Sequence, residues 1–276
     1  MKKILFICDS DHFPDGAFRF IEDIQKKEPV FLKGIFFSPV DYRKFIPVSY
    51  IPMMDPYIQL MEEDKTLVEK SRHKFVSLCD LLGIPYHLDD TNEGWDNNIF
   101  MRETGFSDLA VISEELFCSD IMEDQPNYFM HQALHNTQCP IMVVQEKYKG
   151  VNRLAIAYDG KKESIFAMKQ FSYLFPQWCN LTTDFVCLKK EMNEEIPELE
   201  LLKEYGSVHF PSMKTSKLHF DRKTYFPVWL EDKENVLLVT GCYTRSSFSN
   251  LFKQSFADTI IHDHVCPVFI AHGLVK

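Results

Sequence analysis

Two stretches of the chain, 127 residues apart, run in step without a gap. Asp108 to Gln145 reads DLAVISEELFCSDIMEDQPNYFMHQALHNTQCPIMVVQ, and Asn235 to His272 reads NVLLVTGCYTRSSFSNLFKQSFADTIIHDHVCPVFIAH. Each passes from an apolar strand through a polar loop and a helical stretch to Cys-Pro and a second apolar strand. Only Ser119/Ser246, Phe129/Phe256, His135/His262, Cys139/Cys266 and Pro140/Pro267 are identical, so the hydrophobic pattern carries the match. A repeat of this length is too long for a solenoid unit and fits a duplicated domain. It also lets each half serve as an internal control for the other.

The 276 residues then divide into two units of ordinary domain size, residues 1–148 and 149–276. Apolar residues make up 45% of the chain and include 24 Phe, enough for a core in each unit. The charge is unevenly shared. Residues 1–148 hold 25 acidic and 14 basic side chains, a net of −11, whereas residues 149–276 hold 15 and 16, a net of +1. The overall charge of −10 argues against nucleic acid and anionic membrane as partners. The eight Cys are scattered without a CxxC, several within or beside apolar runs, the pattern of reduced, buried thiols. The apolar start Ile4–Cys8 is only five residues long before Asp9, too short for a secretory leader, and no run reaches membrane-span length. The expected location is the cytoplasm.

Strand-like and helical runs alternate throughout. The first half shows strands at Lys3–Cys8, Val30–Phe37, Tyr86–Leu88, Leu109–Ile112 and Ile141–Val144, with helices at Gly16–Lys27, Asp55–Leu82, Asn97–Thr104 and Gln125–His135. The second half shows strands at Arg153–Tyr158, Thr183–Leu188, Val208–Phe210, Val236–Thr240 and Val268–Ala271, with helices at Glu163–Leu174, Glu194–Tyr205 and Lys253–Ile261. Continuously apolar strands separated by helices predict parallel sheets covered on both faces. The fold class is therefore α/β, as two doubly wound, five-stranded, Rossmann-like domains in tandem. Asp9 and Asp159 stand 150 apart rather than 127, so the first half carries about 23 extra residues, assigned to an aromatic and Pro-rich insert near 38–56.

Ligands of such sheets bind beyond the carboxyl ends of strands. In the second half that region holds Asp159-Gly160 and the loop from Gly241 to Ser255. Its small and hydroxylated residues expose backbone N–H groups, while a helix start and Arg245 add positive charge, a combination suited to phosphate. Here the chain resembles the universal stress protein family in tandem form, over essentially its whole length in element order and most strongly at Val236–Ala271. Members that bind ATP carry Gly-x-x-Gly, nine intervening residues, then Gly-Ser or Gly-Thr, and an Asp at the end of the first strand. This sequence keeps Gly241, Arg245 and Ser255, with Asp159 in the acidic position, but has Thr244 and Gln254 where the pattern has glycine. Each replacement adds a Cβ at a tight point. The resemblance implies an adenine nucleotide alpha hydrolase-like fold, a stress-response role, and ATP or AMP held by Asp159, Gly241, Thr244, Arg245, Gln254 and Ser255. It also implies antiparallel pairing of Ile141–Val144 with Val268–Ala271, a pseudo-dimer within one chain, with a further homodimer left open.

In the first half Glu114 stands in register with Gly241, and Glu115, Asp120, Glu123 and Asp124 follow. Carboxylates there repel a triphosphate, so this half is expected not to bind nucleotide. The acidic group reads as a solvated face before it reads as a cation site. His131 and His135 lack the Glu of HExxH, and with His262 and His264 they read as packing or surface residues, not metal ligands. No ordering of a nucleophile with a base stands out, so no enzymatic activity is expected, a slow ATPase being the weaker alternative that the resemblance allows. Two functions remain open: a nucleotide-responsive regulator, and a ligand-free module that binds a protein partner through the insert.

Overall fold

The computed structural model describes residues 1–9, 13–37, 55–88, 97–118, 137–189, 193–219, 225–241, 260–261, 263–271 and 273. The first half contributes β1 (Lys2–Cys8), α1 (Asp15–Gln25), β2 (Val30–Phe36), α2 (Asp55–Leu82), β3 (Tyr86–Leu88), α3 (Asn97–Thr104), β4 (Leu109–Ser113), α4 (Glu114–Cys118) and β5 (Ile141–Val144). The second contributes β6 (Arg153–Ala157), α5 (Lys162–Leu174), a 3-10 turn at Trp178–Asn180, β7 (Thr182–Lys189), α6 (Leu199–His209), β8 (Met213–His219), α7 (Tyr225–Glu231), β9 (Val236–Gly241) and β10 (Val268–Ala271).

All ten strands form one sheet in the order β3-β2-β1-β4-β5-β10-β9-β6-β7-β8. The fold is the expected doubly wound α/β class, with the ten strands in one continuous sheet where two five-stranded sheets were expected. Every neighbouring pair is parallel except β5 and β10, which run antiparallel. At this seam Val143 faces Val268, Met142 faces Phe269 and Ile141 faces Ile270. Met142 and Phe269 occupy equivalent places in the repeat, and the flanking pairs exchange equivalent places. The seam therefore has the self-complementary form of a two-fold interface. Its polarity sends the carboxyl ends of first-half strands to one sheet edge and those of second-half strands to the other.

Burial follows the pleat. Ile4, Phe6 and Cys8 enter one face with Phe18, Phe20 and Phe75 of α1 and α2, while Leu5 and Ile7 enter the other with Phe100 of α3 and Leu116 of α4. The first face continues across the seam. Phe20 lies 5.3 Å edge-on from Trp178, and Phe269 lies 5.2 Å edge-on from Phe171.

Most element boundaries match the sequence reading within two residues, and α2, α3, β3 and β5 match throughout. The stretch Glu194–His219 does not. The helix expected at Glu194–Tyr205 begins at Leu199, after Pro197 and a left-handed Glu198. It then continues to His209, through the strand expected at Val208–Phe210. The actual strand, β8, carries Lys214 and Lys217 within a polar run, as suits the edge it occupies. Helix α7 carries no helical-length apolar pattern; Phe226 and Leu230, one turn apart, anchor it. The insert near 38–56 and the helices expected at Gln125–His135 and Lys253–Ile261 fall largely outside the described residues.

Candidate functional site at the start of helix α5

The second-half site begins where β6 ends. Tyr158-Asp159-Gly160-Lys161 turns the chain into α5, and the turn is fixed by side-chain hydrogen bonds. Asp159 Oδ1 accepts from the Lys161 N–H at 3.0 Å and from the Ser164 hydroxyl at 2.8 Å. The Ser164 oxygen in turn accepts from the Asp159 N–H at 3.4 Å. These bonds hold the turn closed against the first turn of α5, whose N-cap, Lys161, makes no side-chain cap of its own. Asp159 Oδ2 faces the Lys161 ammonium at 3.6 Å, and the Asp159 side chain remains 52% exposed. Gly160 has φ of +79°, and a Cβ there would overlap Pro197. Tyr158 hydroxyl donates to the Pro197 carbonyl at 3.1 Å, and burial raises its pKa.

Gly241, the last residue of β9, reaches the same turn from the side. A Cβ on it would stand 2.5 Å from the Glu163 carbonyl carbon and 2.7 Å from the Ser164 nitrogen. Only glycine lets the end of β9 touch the backbone of α5's first turn. The structure thus gathers Asp159 and Gly241 around Ser164. Thr244, Arg245, Gln254 and Ser255 lie outside the described residues. Sequence reasoning missed Ser164, Lys161 and Lys162. Ser164 stands five residues after Asp159 and closes the turn onto its carboxylate; both Lys side chains are exposed and add positive charge to the helix N-terminus.

The equivalent first-half position is built differently. Asp9 is buried at the end of β1, and burial together with Asp9 pushes the Cys8 thiol well above its ordinary range. After β4 the chain enters α4 directly, and Leu116 packs 5% exposed beneath it. The space left among Ile7, Cys8, Asp9, Pro14, Ser113 and Leu116 is about 10 Å³, room for about one water. Glu114 does not face that space as a free charge. It is 4% exposed, accepts the Glu146 N–H at 3.2 Å, and lies 2.9 Å from His264 Nδ1 across the seam. Burial raises its pKa, opposed by the charge of His264 and the Glu146 N–H. His264 holds a left-handed φ of 56°. Its place in the repeat is that of Thr137, so the Glu114–His264 pair replaces a glycine–threonine pair at the other side of the seam. Asp120, Glu123, Asp124, His131, His135 and His262 lie outside the described residues, among which no group of three or more His, Cys, Asp or Glu could hold a metal.

Comparison with known proteins places this geometry. No protein-family profile and no curated protein matches the chain. Solved structures do match over nearly its whole length. A universal stress protein from Archaeoglobus fulgidus aligns with a TM-score of 0.69 at 11% identity, covering 98% of this chain and 96% of that one. A putative universal stress protein from Pseudomonas aeruginosa gives 0.55 at 11% identity, covering 99% and 93%. A functionally unknown protein from the same species gives 0.53 at 11%, covering 99% and 92%. The chain has the universal stress protein fold. None of its helices, among the described residues, is long and apolar enough to cross a membrane.

Proposed function

We propose that the protein is a stress-response regulator that binds an adenine nucleotide, ATP or AMP, in its second half alone. Residues 1–148 and 149–276 are on this reading a duplicated pair, one unit of which has kept a site. The observation that supports it most is the convergence of Asp159 and Gly241 on the first turn of α5, with β9 in backbone contact with that turn. The helix N-terminus with Lys161 and Lys162 supplies the field an anionic ligand needs. Arg245 and Ser255 belong to the loop that follows Gly241 and complete the proposed contacts. The first half supports the asymmetry, because its counterpart space of about 10 Å³ cannot take a nucleotide. No step of catalysis is proposed.

Isothermal titration with ATP, AMP and cyclic AMP tests the reading. Heat is expected with ATP or AMP, is lost in Arg245→Glu, and persists in Asp9→Ala. Absence of heat with all three at millimolar ligand overturns it.

A further inference from the structure

A cavity of about 380 Å³ opens away from both strand-end sites, sharing no lining residue with either. Three parts of the chain meet there: the C-terminal turn of α1 with Lys26 and Lys27, the joint between the halves with Lys149 and Asn152, and Trp178 beside Asn235. One carboxylate, Asp23, also lines it, but both its oxygens are engaged. Oδ1 accepts from the Lys26 ammonium at 2.8 Å and Oδ2 from the Tyr148 hydroxyl at 2.9 Å. Lys27 and Lys149, 122 positions apart, have no carboxylate partner among the described residues. Folding therefore brings two exposed lysines without a carboxylate partner among the described residues to one concavity of a protein whose net charge is −10. Positive charge gathered there favours an anionic occupant.

The rest of the lining suits that occupant. Trp178 is 3% exposed and immobilised, stacked on Phe175 at 5.1 Å and edge-on to Phe20 at 5.3 Å. Its indole N–H has no acceptor among the described residues and is open to solvent, where a ligand oxygen can reach it. The Asn152 N–H donates to the Asn235 carbonyl at 3.0 Å, which fixes the rim while leaving both side-chain amides uncommitted. Of the carbonyls at the end of α1, which would oppose an anion, three are engaged. The Lys26 N–H closes on Glu22, those of Lys27 and Glu28 close on Ile24, and the Gln177 amide donates to Lys27.

We propose that this cavity binds a compact multivalent anion of the phosphate or pyrophosphate class, its charge met by Lys27 and Lys149 and its oxygens by the Trp178 indole and the Asn152 and Asn235 amides. The proposal is independent of the nucleotide reading. Inorganic pyrophosphate is the probe, titrated into the full-length protein by calorimetry and into ¹⁵N-labelled protein while the indole N–H resonances are followed. Binding that weakens with added salt is expected, with a shift of the Trp178 indole peak, identified by its loss in Trp178→Phe. Lys27→Gln with Lys149→Gln, both on exposed side chains, should weaken binding by at least about tenfold, as loss of charge-assisted contacts implies. Arg245→Glu should leave the Trp178 indole shift unchanged. No binding to the native protein overturns the proposal. So does a Trp178 indole peak that stays fixed on binding, that still shifts in the double Lys variant, or that stops shifting in Arg245→Glu.

Discussion

At the scale of single residues, burial decides the chemistry of the ionisable groups. Glu114 is the sharpest case, because burial raises its pKa where an exposed carboxylate would sit near 4.5. A carboxyl raised on folding contributes stability fully below its unfolded pKa and loses it as pH rises through the folded value. Glu114→Gln removes this dependence while keeping an acceptor for the Glu146 N–H. The stability of the variant relative to native should therefore increase as pH climbs from about 4.5 through the raised value, read by urea denaturation across that range. A difference that shrinks with rising pH would show that the His264 partner outweighs the burial. The thiols follow the same physics. Burial pushes Cys79, Cys139, Cys179 and Cys266 up to about 12, and Cys8 and Cys187 are buried beside them. A thiol at that value is about one part in 10⁵ thiolate at neutral pH. Cys118→Ser with Cys242→Ser should leave a protein whose remaining six cysteines react with a thiol reagent only on unfolding. Rapid labelling in the folded state would contradict the packing.

Among elements, what the sequence made legible depended on whether a segment carried its own pattern. Helix α2 was readable end to end because Pro56 lies in its first turn and Gly83, with φ of +62°, follows its last residue. Strands β1, β4, β5, β9 and β10 announced themselves as continuous apolar runs because both faces of the sheet are covered. Met213–His219 hid its strand because an edge position asks for lysines, and Val208–Phe210 looked like a strand because a helix end needs apolar anchors too. Of the six nucleotide contacts expected, Asp159 and Gly241 were legible as a pair, whereas Ser164 was not, since its role arises only when the turn closes. That turn yields a prediction about α5. Asp159→Ala removes the acceptor of the Lys161 N–H and the Ser164 hydroxyl and should cost about 1 kcal/mol of stability without any ligand, whereas Asp159→Asn should retain most of it. Equal stability of Asp159→Ala and native protein would assign the carboxylate to ligand binding alone. Gly241→Ala should cost about 1–3 kcal/mol, since its methyl meets backbone with nowhere to move.

For the molecule as a whole, the question is whether the two halves of the ten-stranded sheet unfold as two pieces or one. Two independent pieces would leave β5 and β10 as exposed, wholly apolar edges, the arrangement that invites aggregation. The seam removes both edges by pairing them, with Met142 and Phe269 at its centre. Helix packing reinforces it. Phe20 of α1 touches Tyr148, Phe175 and Trp178, so the core on that face has no gap where the halves could part. A side-chain contact adds a clasp at the seam, Glu114 to His264 Nδ1 at 2.9 Å. A break along the seam would expose strand edges, an aromatic cluster and a buried carboxylate together. We therefore expect one cooperative transition by calorimetry, with calorimetric and van't Hoff enthalpies equal for the full chain. Phe20→Ala opens a cavity at the junction and should lower stability by about 3–5 kcal/mol. If the halves are one cooperative unit, that loss appears as a shift of the single transition. If they are not, the variant splits the transition in two, and native protein whose two enthalpies already disagree would refute the expectation before any mutation is made.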